Sequence, residues 1–245
     1  TIAGVDHRAR GNPGAGGPAG TGSGAAVGTV PADPRRSLPT LYQHHREEAL
    51  RAARGSGGER AAVLRALAAP ERQLLALETS GRGLLTEVFG DLAAAPAVAV
   101  LVGGVGTEVA TFDAGTRRLR TFLDGLHRHL PARRVVLVCH SYGSPVCAAA
   151  LADARARGVR DVVDLASPGV GQGRLPAGVR RWTATGSADP VRWVPHVRIG
   201  GLGLGRDPAT TPGARRLPVP ANCDHDDYLA PGSPTLTAVA DLVRP

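Results

Sequence analysis

The sequence predicts an α/β fold in which helices flank a mostly parallel sheet. Two short apolar runs rich in valine, at residues 97–102 and 135–138, have the length and composition of buried strands, and residues 161–165 predict a further strand. Segments with helical composition alternate with these runs, and strands that alternate with helices form parallel sheets. A length of 245 residues is enough for one such domain with its own core.

The N-terminal part of the chain divides by composition. Residues 1–34 are expected to form a flexible arm, because residues 11–34 are nearly all Gly, Ala, Pro, Ser and Thr and can bury little apolar surface. Residues 35–72 are richer in Leu, Ala, Glu and Arg at helical spacing. They predict a helical segment of two helices, broken by the glycines at 55–58.

Residues 73–245 are predicted to form the α/β domain itself. Two apolar runs, 73–78 and 84–89, flank a turn cluster and predict a hairpin. The strand at 97–102 follows and ends in a glycine-rich loop. Asp113 is then expected to cap a helix whose leucines lie on one face and which stops at Pro131.

The second half of the domain begins with the strand at 135–138. A helix is expected after Ser144-Pro145 and up to Arg157, because proline is favoured in a first helical turn. The strands at 161–165 and 180–185 follow, and residues 234–242 predict a closing helix.

The charge does not indicate a nucleic-acid partner, although the net charge is +8 and the sequence pI is about 10.7. The basic residues are all Arg and are scattered along the chain, and aromatic residues make up only 3% of it. A groove for single-stranded nucleic acid needs basic and aromatic residues side by side. No nucleic-acid partner and no obligate protein partner are therefore expected.

No membrane span or signal peptide is expected either. The longest apolar stretch, residues 92–105, is too short for a membrane helix and contains Pro96 and Gly103. Residues 1–20 lack a charged start followed by an apolar run. The three cysteines, an odd number without metal-type spacing, are interpreted as reduced and buried thiols, which favours the cytoplasm over secretion. These cysteines are Cys139, Cys147 and Cys223.

Residues 139–143, Cys-His-Ser-Tyr-Gly, lie between the strand at 135–138 and the next predicted helix. A sharp turn in this context lifts a serine side chain above the sheet and points the following backbone N–H at a developing oxyanion. Ser141 is therefore the predicted nucleophile, and Tyr142 the predicted oxyanion donor. Ser56 and Ser167 also precede a glycine by two residues, but neither lies between a strand and a helix.

A nucleophilic serine needs a base, and the base needs a carboxylate that orients it. Asp189 follows the strand at 180–185, and His225 lies in a polar loop before the last helix, so the order Ser, Asp, His is met. The alternatives are a solvated loop carboxylate and an exposed histidine. Asp161 and Asp164 lie at or within a strand and are interpreted as structural.

The other histidines are weaker candidates for a site. His127 and His129 lie near a helix end, where cations are favoured, and His44 and His45 are adjacent and are not expected to share a helix face. Cys223, His225 and the neighbouring Asp residues form one local cluster without a matching second pair of ligands. No metal site and no cofactor are therefore expected.

From about Leu74 to the C-terminus, the sequence resembles an actinobacterial α/β-hydrolase family catalogued as a domain of unknown function. That family carries the motifs Gly-His-Ser-Tyr-Gly-Ser, Gly-Ser-Pro-Gly-Val-Gly and Gly-His-Ser-Asp-Tyr, and a loop Val-Pro-Gly-x-Gly-Thr. The counterparts here are residues 139–144, 166–171, 224–228 and 102–107. The resemblance implies a serine esterase or lipase-like enzyme that cleaves a small-molecule or lipid-like acyl substrate.

The resemblance also implies a second oxyanion donor near Gly104 or Val105. Trp193, beside the acid loop, is a candidate lining residue of the acyl pocket, with an ordinary core tryptophan as the alternative. The sequence does not choose among ester, thioester and peptide substrates, because all of them use this triad.

The sequence departs from the family pattern at several positions. Cys139, Ala166 and Asp224 stand where the family has glycine, Gly103 replaces a proline and Asp226 replaces a serine. The chain between residues 106 and 135 has room for one helix only. The fold is therefore expected to be shortened between the loop at 102–107 and the strand at 135–138, which precedes Ser141. A non-catalytic relative that acts as a binding or scaffold protein is the alternative function.

Overall fold

The computed structural model describes residues 2–6, 30–80, 83–104, 109–152, 158–197 and 204–244. Of the strand at 2–6 and of residues 109–111, only the backbone is described. Among the described residues, each helix is too short or too polar to cross a lipid bilayer.

One sheet of eight strands forms the centre of the described part of the molecule. In chain order, its strands are β1 (Ile2–Asp6), β2 (Gln73–Glu78), β3 (Leu84–Phe89), β4 (Ala97–Val102), β5 (Arg134–His140), β6 (Val159–Leu165), β7 (Arg180–Ala184) and β8 (Arg215–Arg216). The helices are α1 (Pro34–Arg54), α2 (Gly58–Leu67), α3 (Val109–His129), α4 (Gly143–Leu151) and α5 (Pro234–Val243).

The strand order across the sheet is β2-β3-β1-β4-β5-β6-β7-β8. Every pair from β1 to β8 in this order is parallel, whereas β2 and β3 form the expected antiparallel hairpin and β3 also pairs antiparallel with β1. The predicted mostly parallel sheet is therefore confirmed. A parallel sheet of this kind places the carboxyl ends of its strands at one edge, where ligand sites form.

Helices cover both faces of the sheet, as the alternation of side chains along β5 requires. Val135, Leu137 and Cys139 pack in one apolar cluster with residues of α3 and α4. Val136 and Val138 point to the opposite face and pack in a second cluster with Val239 of α5. Burial of β5 on both faces explains why its sequence is a continuous run of valine and leucine rather than an alternating pattern.

The connection between β4 and β5 contains a single helix among the described residues, α3, which confirms the expected short connection. Its buried residues Leu119, Phe122, Leu123 and Leu126 follow helical spacing. Asp113 was expected to cap this helix, but α3 already begins at Val109 and Asp113 is exposed within it. The apolar stripe of a helix fixes its buried face but not its first residue, which explains the error.

The strand β1 is a correction to the expected N-terminal arm. Residues 2–6 form a strand between β3 and β4, although residues 1–34 were all expected to be flexible from the composition of residues 11–34. A five-residue run with a central glycine is a weak strand signal without its partners. Residues 7–29 lie outside the described part of the chain, as do residues 153–157, where α4 was expected to continue.

Candidate active site

Ser141 occupies the sharp turn between β5 and α4. Its backbone φ is +54°, a left-handed conformation that is rare for residues other than glycine. Two backbone hydrogen bonds hold the turn: the N–H of Ser141 donates to the carbonyl of Leu165 on β6 at 2.8 Å, and the N–H of Ser144 donates to the carbonyl of Ser141 at 3.0 Å. The arrangement of strand, strained turn and helix is that of a nucleophile elbow.

Small residues surround this turn because the backbone segments approach one another closely. A Cβ atom at Gly143 would lie 2.3 Å from the carbonyl oxygen of Val102 at the end of β4. A Cβ atom at Gly104 would lie 2.3 Å from the amide nitrogen of Tyr142. Of the predicted oxyanion donors, Tyr142 and Gly104 are therefore neighbours, and Val105 lies outside the described residues.

Cys139 and Cys147 form a disulfide, which corrects the expectation of reduced thiols. Cys139 is the last residue but one of β5 and Cys147 lies in α4, with their Cα atoms 6.4 Å apart. This distance is within the range that a disulfide spans. The sulfur of Cys139, which stands where the resembled family has glycine, is therefore bonded to the following helix. Cys223 is free and buried.

His225 lies beside Ser141, with its Nε2 atom 2.9 Å from the Ser141 Oγ atom. Its Nδ1 atom lies 2.9 Å from the Oδ1 atom of Asp189. A carboxylate accepts hydrogen bonds, so the neutral ring carries its proton on Nδ1 and leaves Nε2 free to accept the serine proton. The structure thus brings all three residues of the predicted triad into one chain of hydrogen bonds.

Asp189 is fully buried and follows β7 through the loop at Gly186. Its Oδ1 atom also accepts from the N–H of Val191 at 2.8 Å, and its Oδ2 atom accepts from the hydroxyl of Tyr228 at 2.6 Å. Burial by itself raises the pKa of Asp189, but the hydrogen bonds from Tyr228, Val191 and His225 outweigh it and hold the pKa below its ordinary value. Asp189 therefore stays ionised around neutral pH.

The loops that carry the acid and the base are packed backbone to backbone. The N–H of Ala188 donates to the carbonyl of Cys223 at 3.2 Å. A Cβ atom at Gly186 would lie 2.1 Å from the same carbonyl oxygen, so this approach requires glycine at position 186. This backbone contact holds the loop of Asp189 beside the loop of His225 without any contribution from their side chains.

Two residues at the site were not predicted from the sequence to contribute to it. His140 points its Nε2 atom at the carbonyl oxygen of His225, 2.7 Å away, and this nitrogen carries a proton because a carbonyl only accepts. Burial lowers the pKa of His140, so its ring is neutral at neutral pH. Tyr228 binds Asp189 as described. His140 lies within residues 139–144 and Tyr228 within residues 224–228, two of the segments that resemble family motifs, but the neighbouring sequence does not indicate which residues they contact.

Three other predictions concern residues outside the contacts of Ser141, His225 and Asp189. Trp193 is 78% exposed, so the alternative of a core tryptophan is wrong; its role in an acyl pocket stays a prediction. Asp161 and Asp164 are buried and pair with arginines, Asp161 with Arg180 and Asp164 with Arg181. Their interpretation as structural residues agrees with these contacts.

A cluster far from Ser141 in sequence corrects the expectation about adjacent histidines. The potential ligand atoms of His44, His45 and Glu48 on α1 lie within 4.8 Å of one another. The Nδ1 atom of His45 is 3.2 Å from the Oε2 atom of Glu48, which makes an imidazole–carboxylate pair within one helix turn. This hydrogen bond accounts for the proximity of His45 and Glu48.

Comparison with known proteins agrees with the fold. A family model described as alpha/beta hydrolase matches residues 110–199, a segment that includes Ser141 and Asp189 and ends before His225. Searches of curated proteins and of solved structures each found no match. The parallel sheet, its flanking helices and the matched segment together define an α/β-hydrolase fold. The matched segment is thus similar to α/β hydrolases and supports a hydrolase-like fold for this part of the chain.

Proposed function

We propose that this protein is a serine hydrolase that cleaves an ester or a related acyl bond through an acyl-enzyme on Ser141. The observation that carries the proposal is the unbroken chain from the Ser141 Oγ atom through His225 to Asp189, with 2.9 Å at each step. These distances are within hydrogen-bond reach for proton transfer.

In the first half of the reaction, the Ser141 Oγ atom attacks the acyl carbon of the substrate while its proton passes to Nε2 of His225. Asp189 stabilises the imidazolium that forms. The tetrahedral intermediate collapses when Nε2 returns the proton to the leaving oxygen, which departs as an alcohol. The acyl group remains bonded to Ser141.

In the second half, His225 takes a proton from a water molecule, and the resulting hydroxide attacks the acyl carbon. Collapse of this intermediate breaks the bond to Ser141, and the proton on Nε2 returns to the Oγ atom as the acid leaves. Backbone N–H groups at Tyr142 and at Gly104 or Val105 are proposed to stabilise the oxyanion in both halves.

The alternative, a non-catalytic relative, was suggested by the departures from the family pattern. The hydrogen-bonded contacts among Ser141, His225 and Asp189 favour catalysis over that alternative, because a protein without turnover needs no ordered base and acid beside a strained serine. The disulfide also favours an oxidising compartment over the cytoplasm, where thiols are kept reduced.

Hydrolysis of p-nitrophenyl esters with acyl chains of increasing length tests the proposal. The wild type is expected to hydrolyse at least one of them, and Ser141→Ala should lower kcat by roughly 10³-fold or more. Ser56→Ala is the matched control, because Ser56 also precedes a glycine by two residues but lies after α1. Hydrolysis that survives Ser141→Ala would contradict the proposal.

A further inference from the structure

Tyr228 makes two short hydrogen bonds with one buried hydroxyl group. The hydroxyl donates to the Oδ2 atom of Asp189 at 2.6 Å and accepts from the N–H of Gly186 at 2.6 Å. The side chain is 1% exposed, and a buried tyrosine hydroxyl needs a partner. Here the hydroxyl donates its proton to Asp189, the acid of the proposed triad.

This contact completes the hydrogen bonding of the carboxylate. The Oδ1 atom of Asp189 accepts from His225 and from the N–H of Val191, and the Oδ2 atom accepts from Tyr228. Rotation of the carboxylate about its last bond would break the bonds at both oxygens. Tyr228 therefore binds Oδ2 and thereby keeps the Oδ1 atom directed at His225.

The loop geometry links this contact to the base as well. Tyr228 follows His225 by three residues in the same loop, and its own carbonyl accepts from the hydroxyl of Ser233, which caps α5. The loop that carries the base thus extends a side chain back to the loop that carries the acid. This side chain supplements the backbone contact between Ala188 and Cys223.

We propose that Tyr228 is a positioning residue of the acyl-transfer reaction, which holds the Asp189 carboxylate in the orientation that His225 requires. This inference rests on the proposed hydrolase function. Tyr228 touches neither the nucleophile nor the substrate in this account, so it acts only through Asp189. Removal of its hydroxyl should loosen the carboxylate and also weaken the preference for its charged form.

The test is Tyr228→Phe, which removes the hydroxyl and keeps the ring. We expect kcat for p-nitrophenyl ester hydrolysis to fall roughly 10- to 100-fold, as for loss of a hydrogen bond to a charged group, while KM changes little. The acidic limb of the kcat/KM profile should move to higher pH, because a carboxylate that has lost a donor binds protons more readily.

Tyr42→Phe is the matched control. Tyr42 is also a buried tyrosine, but it lies on α1, and within the described part of the chain its hydroxyl has no hydrogen-bond partner. This variant should keep the kcat and the pH profile of the wild type. An unchanged pH profile in Tyr228→Phe, or an equal loss of kcat in both variants, would overturn the inference.

A second readout does not depend on turnover. The proton on Nδ1 of His225 lies in the bond to Asp189, and its NMR resonance should shift in Tyr228→Phe and stay in place in Tyr42→Phe. An unshifted resonance in Tyr228→Phe would overturn the positioning role. A wild-type protein that shows this resonance but hydrolyses no ester would instead count against the proposed function.

Discussion

Gly104 lies directly against the amide nitrogen of Tyr142, where a Cβ atom at position 104 would come within 2.3 Å of that nitrogen. The same Cβ atom would lie 2.7 Å from the carbonyl oxygen of His140 and 2.8 Å from the Cβ atom of Ser141. All three contacts are with the backbone or with the Cβ atom of Ser141. The loop after β4 and the elbow can therefore keep this arrangement only with glycine at position 104.

Gly104→Ala is expected to push the loop away from Tyr142 and to misplace the proposed oxyanion donors. Loss of one such donor lowers kcat by roughly 10²- to 10³-fold, and a fall of about that size is predicted for ester hydrolysis. Gly57→Ala is the control, because a Cβ atom at Gly57 would have no atom within 4 Å. Wild-type kcat in Gly104→Ala would contradict this account of the elbow.

The disulfide between Cys139 and Cys147 is expected to stabilise the turn at Ser141, because it joins β5 to α4. The two cysteines are separated by 8 positions in the sequence, so the chain-entropy estimate of the contribution of the disulfide to the free energy of unfolding is about 2.5 kcal/mol. The double variant Cys139→Ala/Cys147→Ala should unfold at a lower denaturant concentration by a corresponding amount.

Thiol titration checks the bond itself. Unfolded but unreduced protein should react as one thiol, that of Cys223, and reduced protein should react as all three cysteines. Three reactive thiols before reduction would show that the disulfide is absent.

The buried pair of Asp164 and Arg181 predicts a dependence of stability on pH. The two side chains are 3.2 Å apart, and burial raises the pKa of Asp164 to about 6 although Arg181 opposes this shift. A native pKa above the unfolded value means that stability falls as pH rises between the two values. Without Arg181 the pKa of Asp164 rises further, so the cost of ionising Asp164 grows.

Arg181→Met is therefore expected to destabilise the protein by roughly 3 to 5 kcal/mol at pH 8, where Asp164 must either stay charged without its partner or bind a proton, and by less at pH 5. Some loss should persist at every pH, because Arg181 also donates to the carbonyl of Gly173. Denaturant unfolding from pH 5 to pH 8 measures the difference, with Arg181→Lys as the variant that keeps the charge. An equal loss at both ends of this range would count against the pairing.

The sequence predicted those parts of the fold that depend on local pattern. The strands β2, β3 and β4 have the predicted bounds, because each is an apolar run bounded by turn residues or proline. The sequence predicted that Ser141, Asp189 and His225 meet, because each follows a strand or precedes a helix in the order that the fold requires. Local pattern is sufficient for such residues.

The missed features depend on contacts between distant segments. The strand β1 is held by hydrogen bonds to β3 and β4, which lie far along the chain. The strand β8 is only two residues long, too short for a sequence pattern. Cys139 and Cys147 meet only because the strained turn folds α4 back beside β5. The bond of Tyr228 to Asp189 joins residues 39 positions apart, so its partner cannot be read from the neighbouring sequence.

Labelling with a fluorophosphonate probe, followed by mass spectrometry of the proteolysed chain, tests the central claim most directly. The probe reacts with a serine only when a base activates it. An adduct is expected on the peptide that contains Ser141 in the wild type, and no adduct is expected in Ser141→Ala. Absence of any adduct on folded wild-type protein, or an adduct that persists in Ser141→Ala, would contradict the central claim.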